Sequence, residues 1–196
     1  MARLGLALYC GGLIVVVVLP IWAASTSALL QWREPVYVVA GFAGIIALSL
    51  LLLQPLLASG YLPRLSLVRA RYLHKSVGGL LVLMIIAHVA GLWITSPPDV
   101  IDALMFVSPT PFSIWGVIAM WGLFASAMLV AVRRKLKLRP TAWRNVHKFL
   151  GVVIALGSVI HALLIDGTME TISKWLLCTA IIVAMLIALF RVKPQR

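Results

Sequence analysis

Six apolar stretches, each about as long as a membrane is thick, constrain the fold of this chain more than any other feature. A bilayer core takes about 20 apolar residues per helix, and 63% of the 196 residues are hydrophobic while only 11% are charged. The mean hydropathy is +1.09. We therefore expect an all-α integral membrane protein, folded as a bundle of six transmembrane helices. The stretches cover roughly residues 4–24, 35–57, 73–95, 112–132, 145–166 and 172–190.

Fifteen of the 17 basic residues lie on one side of these six stretches. If the N-terminus is cytoplasmic, the cytoplasmic segments hold Arg3, Arg64, Arg69, Arg71, Lys75, Arg133, Arg134, Lys135, Lys137, Arg139, Arg144, Lys148, Arg191, Lys193 and Arg196. The outer segments hold only Arg33 and Lys174, together with all five acidic residues. Positive residues are retained on the cytoplasmic side, so both termini are expected in the cytoplasm. Contact with anionic lipid headgroups then accounts for the net charge of +12 without any nucleic acid.

The first apolar stretch has a second interpretation. Arg3 precedes a long apolar run, and the small residues AASTSA that follow it would suit cleavage of a secretory signal. The run is longer than a typical signal core, and no soluble domain follows it in the sequence. We expect a retained helix.

One motif occurs twice in the chain. Residues 71–88 read RYLHKSVGGLLVLMIIAH, and residues 144–161 read RNVHKFLGVVIALGSVIH. Both fit RxxHKxxG followed by nine residues and a second histidine. All four histidines of the protein belong to these segments: His74, His88, His147 and His161. Because an ionisable residue in a membrane helix is costly, each is a candidate functional residue.

The spacing within the motif predicts two layers of histidines. Fourteen residues at about 100° each leave both imidazoles of a helix within about 40° of one another, and they separate the two by about 21 Å along the axis. Both motifs begin at the cytoplasmic side of their helices. We therefore expect an inner pair, His74 with His147, and an outer pair, His88 with His161.

Each layer offers two imidazoles and no nearby Cys, Asp or Glu. Zinc would need three or four converging protein ligands, whereas haem needs only two axial ligands because the porphyrin supplies the other four. Two bis-histidine b-type haems therefore fit best. Gly78 and Gly151 lie one turn beyond the inner histidines, where they suit either a porphyrin face or close helix packing. The cations at the inner rim suit either haem propionates or lipid anchoring: Arg71, Lys75, Arg144 and Lys148.

These residues resemble the ferric reductase-like transmembrane domain family, which includes the membrane cores of NADPH oxidases and ferric reductases. The resemblance implies that residues 1–196 form a single di-haem domain. It also implies that His74 and His147 ligate the inner haem iron, and that His88 and His161 ligate the outer one. Those cores continue into a cytoplasmic module that binds flavin and nicotinamide, whereas this sequence ends at Arg196. We therefore expect a separate electron donor.

A similar stand-alone protein is the haem-bearing membrane subunit of the bacterial periplasmic methionine sulfoxide reductase system. That subunit passes electrons to an exported partner and typically lacks one inner histidine on its third helix. Because this sequence has all four histidines, it looks more like the two-haem oxidase core. The resemblance suggests a multi-pass protein of a bacterial inner membrane.

The expected function is transmembrane electron transfer, as the membrane subunit of an oxidoreductase without catalytic residues of its own. The donor would be a cytoplasmic flavoprotein or quinol, so any flavin or quinone would come from a partner, and the acceptor would lie outside or be a periplasmic protein. The basic segment 133–144 could dock an acidic donor or anchor lipid, and the loop 96–111 could face the acceptor or simply connect helices.

Two other functions remain open from the sequence. A quinone-linked cytochrome b subunit of a larger dehydrogenase complex would use the same four histidines. A histidine-based transporter or proton channel would need membrane-embedded acids, and every acid here lies near an outer boundary or in an outer loop.

Overall fold

A computed structural model describes residues 2–60 and 62–190, with side chains described for residues 9–60 and 62–190. This part of the chain contains seven α-helices and a short 3-10 turn at Ala28–Leu30. The helices are α1 (Ala2–Ser25), α2 (Pro35–Ser59), α3 (Leu67–Thr95), α4 (Pro97–Leu104), α5 (Ser113–Leu136), α6 (Pro140–Leu164) and α7 (Thr171–Phe190). Four cations used for the expected topology lie outside the described side chains: Arg3, Arg191, Lys193 and Arg196.

The described residues are helical and contain no strand, which confirms the all-α expectation. Five helices are long and apolar enough to cross a membrane, namely α2, α3, α5, α6 and α7. Helix α1 is 24 residues long, and the part with described side chains, Tyr9–Ser25, forms a shorter apolar helix. The chain is an integral multi-pass membrane protein.

Two helix starts and one loop differ from the sequence expectation. Helix α3 begins at Leu67, where the side chain of Ser66 accepts a hydrogen bond from Arg69 N and caps the first turn. Helix α6 begins at Pro140, since proline is suited to the first helical position. His74 and His147 therefore lie about two turns inside their helices rather than at the start.

The sequence predicted a loop at residues 96–111, but this segment contains a helix. It contains α4, whose first two residues are prolines and whose N-cap residue, Ser96, donates a hydrogen bond to Asp99 Oδ2 at 2.6 Å. The two prolines fix φ near its helical value at the first positions, and the Ser96–Asp99 hydrogen bond is local, so both favour a helical turn there.

Five of the long helices form a closed ring. Neighbouring helices pack in the order α2, α3, α5, α6 and α7, and α7 returns to α2. Helix α1 lies outside this ring against α2 and α7, where Ser49 Oγ donates a hydrogen bond to Val17 O at 3.3 Å. The two histidine helices, α3 and α6, are not neighbours in the ring, so they face one another across its interior.

An apolar layer fills the middle of the ring. Leu81 on α3 and Ile154 on α6 each lie seven residues from both histidines of their helix, and both are buried. Leu51 on α2 and Leu123 on α5 complete the layer in the same hydrophobic core. The layer separates the inner pair from the outer pair.

Candidate functional site

The inner pair of histidines meets inside the ring. The ring centroids of His74 and His147 lie 6.1 Å apart, and the ring planes are inclined by 78°. An imidazole nitrogen binds a transition metal at about 2 Å, so two imidazoles on opposite sides of one metal have centres roughly 6 Å apart. The inner pair therefore has the separation that two axial ligands of one iron need.

Three histidines make the same second interaction, a hydrogen bond from the ring to a backbone carbonyl. His88 Nδ1 lies 2.7 Å from Ala40 O, His161 Nδ1 lies 2.9 Å from Phe112 O, and His74 Nδ1 lies 3.2 Å from Gln54 O. A carbonyl oxygen only accepts, so the proton is on Nδ1 in all three. Nε2 then keeps a free lone pair, the arrangement by which proteins orient histidine ligands toward a metal.

His147 is held differently from the other three. Its Nδ1 lies 3.0 Å from Ser126 Oγ, and a hydroxyl can either donate or accept. The indole of Trp143 stacks on the imidazole with 5.2 Å between centroids and 7° between planes. The guanidinium of Arg133 covers the indole at 4.2 Å from its centroid. This stack fixes the plane of His147 where the hydrogen bond alone would not.

The outer pair lines a cavity of about 670 Å³, which we call the outer cavity. Its deep end is the apolar layer of Leu51, Leu81, Leu123 and Ile154. His88 and His161 are set into the wall beside two glycines. A Cβ at Gly44 would lie 3.0 Å from His88 Nδ1, and a Cβ at Gly116 would lie 2.7 Å from His161 Nδ1. A Cβ at Gly116 would force the imidazole to move, and one at Gly44 would require a shift of a few tenths of an ångström, so both glycines ease the approach of the imidazoles to the neighbouring carbonyls.

The partners of the histidines show that the repeat extends beyond the histidine helices. Helix α2 carries the carbonyl of Ala40, then Gly44 four residues later and Gln54 ten residues after that. The N-cap residue of α5, Phe112, provides a carbonyl, and Gly116 and Ser126 follow it in the helix at the same spacings. Both α2–α3 and α5–α6 are thus versions of one helical hairpin that holds one histidine of each layer. These partners were not predicted; the equal spacing from Ala40 to Gly44 and from Phe112 to Gly116 is readable in the sequence, but it does not tell which carbonyl faces a histidine.

Two buried donors without a partner flank the inner pair. Gln54 Nε2 and Trp143 Nε1 are the buried side-chain nitrogen atoms that make no hydrogen bond among the described residues. Gln54 also provides the carbonyl that His74 contacts, and Trp143 stacks on His147. Buried donors normally have a hydrogen-bond partner. These two unpartnered donors could therefore bind a further group at the inner site.

The glycines of the repeated motif have little crowding around them. A Cβ at Gly78 would lie 3.6 Å from Gln54 Nε2, and a Cβ at Gly151 would lie 3.9 Å from Met185 Cε. Both are ordinary contact distances. Close helix packing occurs instead at Gly91, whose Cβ would lie 2.7 Å from Ala40 Cβ, and at Gly157, 2.9 Å from Trp115 O. Space at Gly78 and Gly151 is therefore not required for helix packing.

The basic residues of the motif lie at the surface. Arg71, Lys75, Arg144 and Lys148 are all exposed. Within the described part of the chain they form no ion pair with an acidic side chain. They are free to contact lipid headgroups or the carboxylates of a bound group.

The described residues suit haem better than a bare metal ion. They contain no group of three or more His, Cys, Asp or Glu side chains that could hold a metal ion. They do contain an imidazole pair at axial spacing, a cavity between the other two imidazoles, and unpartnered donors beside the first pair. A porphyrin, which brings four ligands of its own, needs only such pairs.

The fold and the site define a multi-pass helical membrane protein with paired histidines inside its bundle. Residues 40–158 match the family described as "Ferric reductase like transmembrane component", and the chain belongs to this family. The match includes His74, His88 and His147 and ends three residues before His161. Searches of the curated proteins and of solved structures found no match. The family generally binds haem and indicates transmembrane electron transfer.

Proposed function

We propose that this protein carries electrons across a membrane through two b-type haems. His74 and His147 would hold one haem near the cytoplasmic side, and His88 and His161 would hold the other near the outer side. The observation that supports this most is the shared hydrogen bonding of the histidines. Three Nδ1 atoms are committed to carbonyls, which leaves Nε2 as the iron ligand.

Haem, when bound between the two imidazoles of a layer, would supply a one-electron carrier. The protein's own part is to hold the imidazoles in a fixed tautomer and orientation, which limits rearrangement when the charge changes. The apolar layer around Leu81 and Ile154 excludes water between the two sites and packs the ring helices at a fixed spacing. These residues favour outer-sphere electron transfer without a moving part.

The proposed topology has six spans with both termini in the cytoplasm. Its support is the charge distribution, since basic residues accumulate on the side where the inner pair lies. With this orientation, electrons moving outward gain about 2.3 kcal/mol per 100 mV of resting potential. We therefore propose a cytoplasmic donor, a flavoprotein or a quinol, and an acceptor outside. The exposed cations of segment 133–144 provide a docking surface for an acidic donor.

The experiment is electron transfer into sealed proteoliposomes. The purified protein is inserted into vesicles that enclose ferricyanide, and dithionite is added outside, where it does not cross the bilayer. We expect ferricyanide to be reduced in vesicles with the wild-type protein. His88→Ala and His147→Ala, each removing one ligand of one layer, should both abolish the reduction.

Gly79→Ala is the matched control, because a Cβ at Gly79 would have no atom within 4 Å. This variant should transfer electrons at the wild-type rate. Wild-type vesicles that show no reduction above empty vesicles would refute the proposed function. Full activity in both histidine variants would refute the assignment of the layers.

A further inference from the structure

The mouth of the outer cavity carries a cationic pair that the proposed function does not use. The deep end of the cavity is apolar, whereas its mouth is lined by charged and hydroxyl side chains, including Asp99, Thr110 and Ser113. Among the basic residues with described side chains, Arg33 and Lys174 alone line this cavity. They are also the only two basic residues of the outer segments. Both cations of the segments expected outside therefore line this cavity, together with the carboxylates of Glu34 and Asp99.

Lys174 is buried, and no carboxylate among the described residues forms an ion pair with it. Its side chain is 4% exposed, and its ammonium donates one hydrogen bond, to Ile165 O at 2.9 Å. Glu170 lies one turn earlier and interacts electrostatically with Lys174, but its two carboxylate oxygens accept hydrogen bonds from the backbone N–H groups of Ile172 and Ser173. No carboxylate in the described part of the chain lies within ion-pair distance of the ammonium. An ammonium has three N–H donors and a buried charge is normally paired, so Lys174 keeps donors that an anion in the cavity could use.

Arg33 is the second basic residue that lines the cavity. It lies just before α2, its guanidinium covers the ring of Tyr37 at 5.1 Å from the centroid, and its side chain is exposed. Lys174 comes from the first turn of α7. Two cations on different elements, above an apolar chamber, match a ligand that is apolar at one end and carries carboxylates at the other.

We propose that Lys174 and Arg33 form a carboxylate-binding site at the mouth of the outer cavity. The carboxylates can have two sources, the propionates of a haem held by His88 and His161, or a carboxylate-bearing small molecule that accepts electrons there. This inference rests on the proposed function, because both sources require haem in the outer cavity. The two sources are separated by measuring the haem and the acceptor independently.

The first experiment is a redox titration of the purified haem protein. If propionates occupy the site, Lys174→Met leaves a carboxylate without its cation and favours the ferric state. We expect the ferric-to-ferrous equilibrium of the outer haem to shift at least tenfold, about 59 mV to lower potential. Lys174→Arg should restore the wild-type potential. Arg33→Gln, at an exposed position, should shift it in the same direction even if the Lys174 variant folds poorly.

The second experiment uses ferric citrate, which carries carboxylates, and a neutral short-chain quinone as acceptors. If a free carboxylate occupies the site, Arg33→Gln, at an exposed position, leaves the potential unchanged. The half-saturating concentration of ferric citrate then rises at least tenfold, and that of the quinone does not. Arg69→Met, which removes an exposed cation at the opposite end of α3 from His88, is the control and should change neither quantity.

Two outcomes have distinct meanings. A wild-type protein without outer haem refutes the proposed function before this inference is reached. A wild-type protein with outer haem, together with an unchanged potential and unchanged saturation by ferric citrate in Lys174→Met and Arg33→Gln, overturns the carboxylate site alone.

Discussion

Among substitutions that add one methyl group, Gly116→Ala should weaken binding of the outer haem most. A Cβ at this position would lie 2.7 Å from Nδ1 and 2.9 Å from Cε1 of His161. Ordinary contact begins at 3.4 Å, so the imidazole must withdraw by about 0.7 Å. The same Nδ1 donates to Phe112 O at 2.9 Å. Withdrawal of this size takes the hydrogen bond beyond its normal range.

The magnitude follows from the lost hydrogen bond. A buried donor left unsatisfied costs about 1–3 kcal/mol, and about 1.4 kcal/mol is a tenfold change in affinity. We therefore expect outer haem affinity to fall about tenfold to a hundredfold, the range found when the second partner of a histidine ligand is removed. Replacing a helical glycine by alanine stabilises a helix by up to about 1 kcal/mol, so thermal stability is a poor measure of this change.

The assay is titration of the haem-free protein with haem, followed by its absorption and by electron paramagnetic resonance of the ferric form. Two other glycines give a graded series. Gly44→Ala, whose Cβ would lie 3.0 Å from His88 Nδ1, should weaken outer haem binding less, and Gly79→Ala should not weaken it. The reasoning is refuted if Gly116→Ala binds two haems like the wild type, or if Gly79→Ala loses as much affinity.

Three further predictions concern single side chains. Ser126→Ala removes the Nδ1 partner of His147. In the same titration it should lower inner haem affinity about tenfold to a hundredfold and leave outer haem affinity unchanged. An equal loss of affinity for both haems would contradict this prediction. Trp143→Ala removes the indole that stacks on His147 and should change the ferric paramagnetic resonance spectrum of the inner haem, whereas Trp143→Phe should preserve that spectrum. Identical spectra for the wild type and both variants would show that Trp143 does not position His147. Hydrogen bonds from Ser173 N and Ile172 N hold the pKa of the exposed Glu170 carboxyl below its ordinary 4.5, so its capping contribution is present above pH 4.5 and is lost as pH falls through the lowered pKa. Glu170→Ala should therefore melt below the wild type at pH 7, and the gap should close in acid; a gap independent of pH would refute this.

The fold class and the histidine layers could be predicted from the sequence because both follow from periodicity. Apolar runs of membrane length give helices, and fourteen residues between His74 and His88 place both on one face. The pairing of His74 with His147 needed only the direction of two helices. Helix α4 was not predicted, since its eight residues are far shorter than a membrane span and its start depends on two prolines and the local bond between Ser96 and Asp99.

The partners of the histidines could not be identified with the same reasoning. Three of them are backbone carbonyls, those of Ala40, Gln54 and Phe112, and a carbonyl has no signature in residue type. The roles of Gly44 and Gly116 depend on how closely two helices approach, which is set by tertiary packing. Lys174 was recognised only as an outer cation, because its burial at the cavity mouth depends on how α7 packs.

The central claim, that each pair of histidines holds one haem, is tested most directly by counting haems. The measurement is the dithionite-reduced minus oxidised spectrum of the purified protein, with pyridine haemochrome quantification per chain. Two b-type haems in the wild type, falling to one in His88→Ala and to one in His147→Ala, are the predicted result. A wild-type protein without haem, or two haems retained in both variants, would contradict the claim.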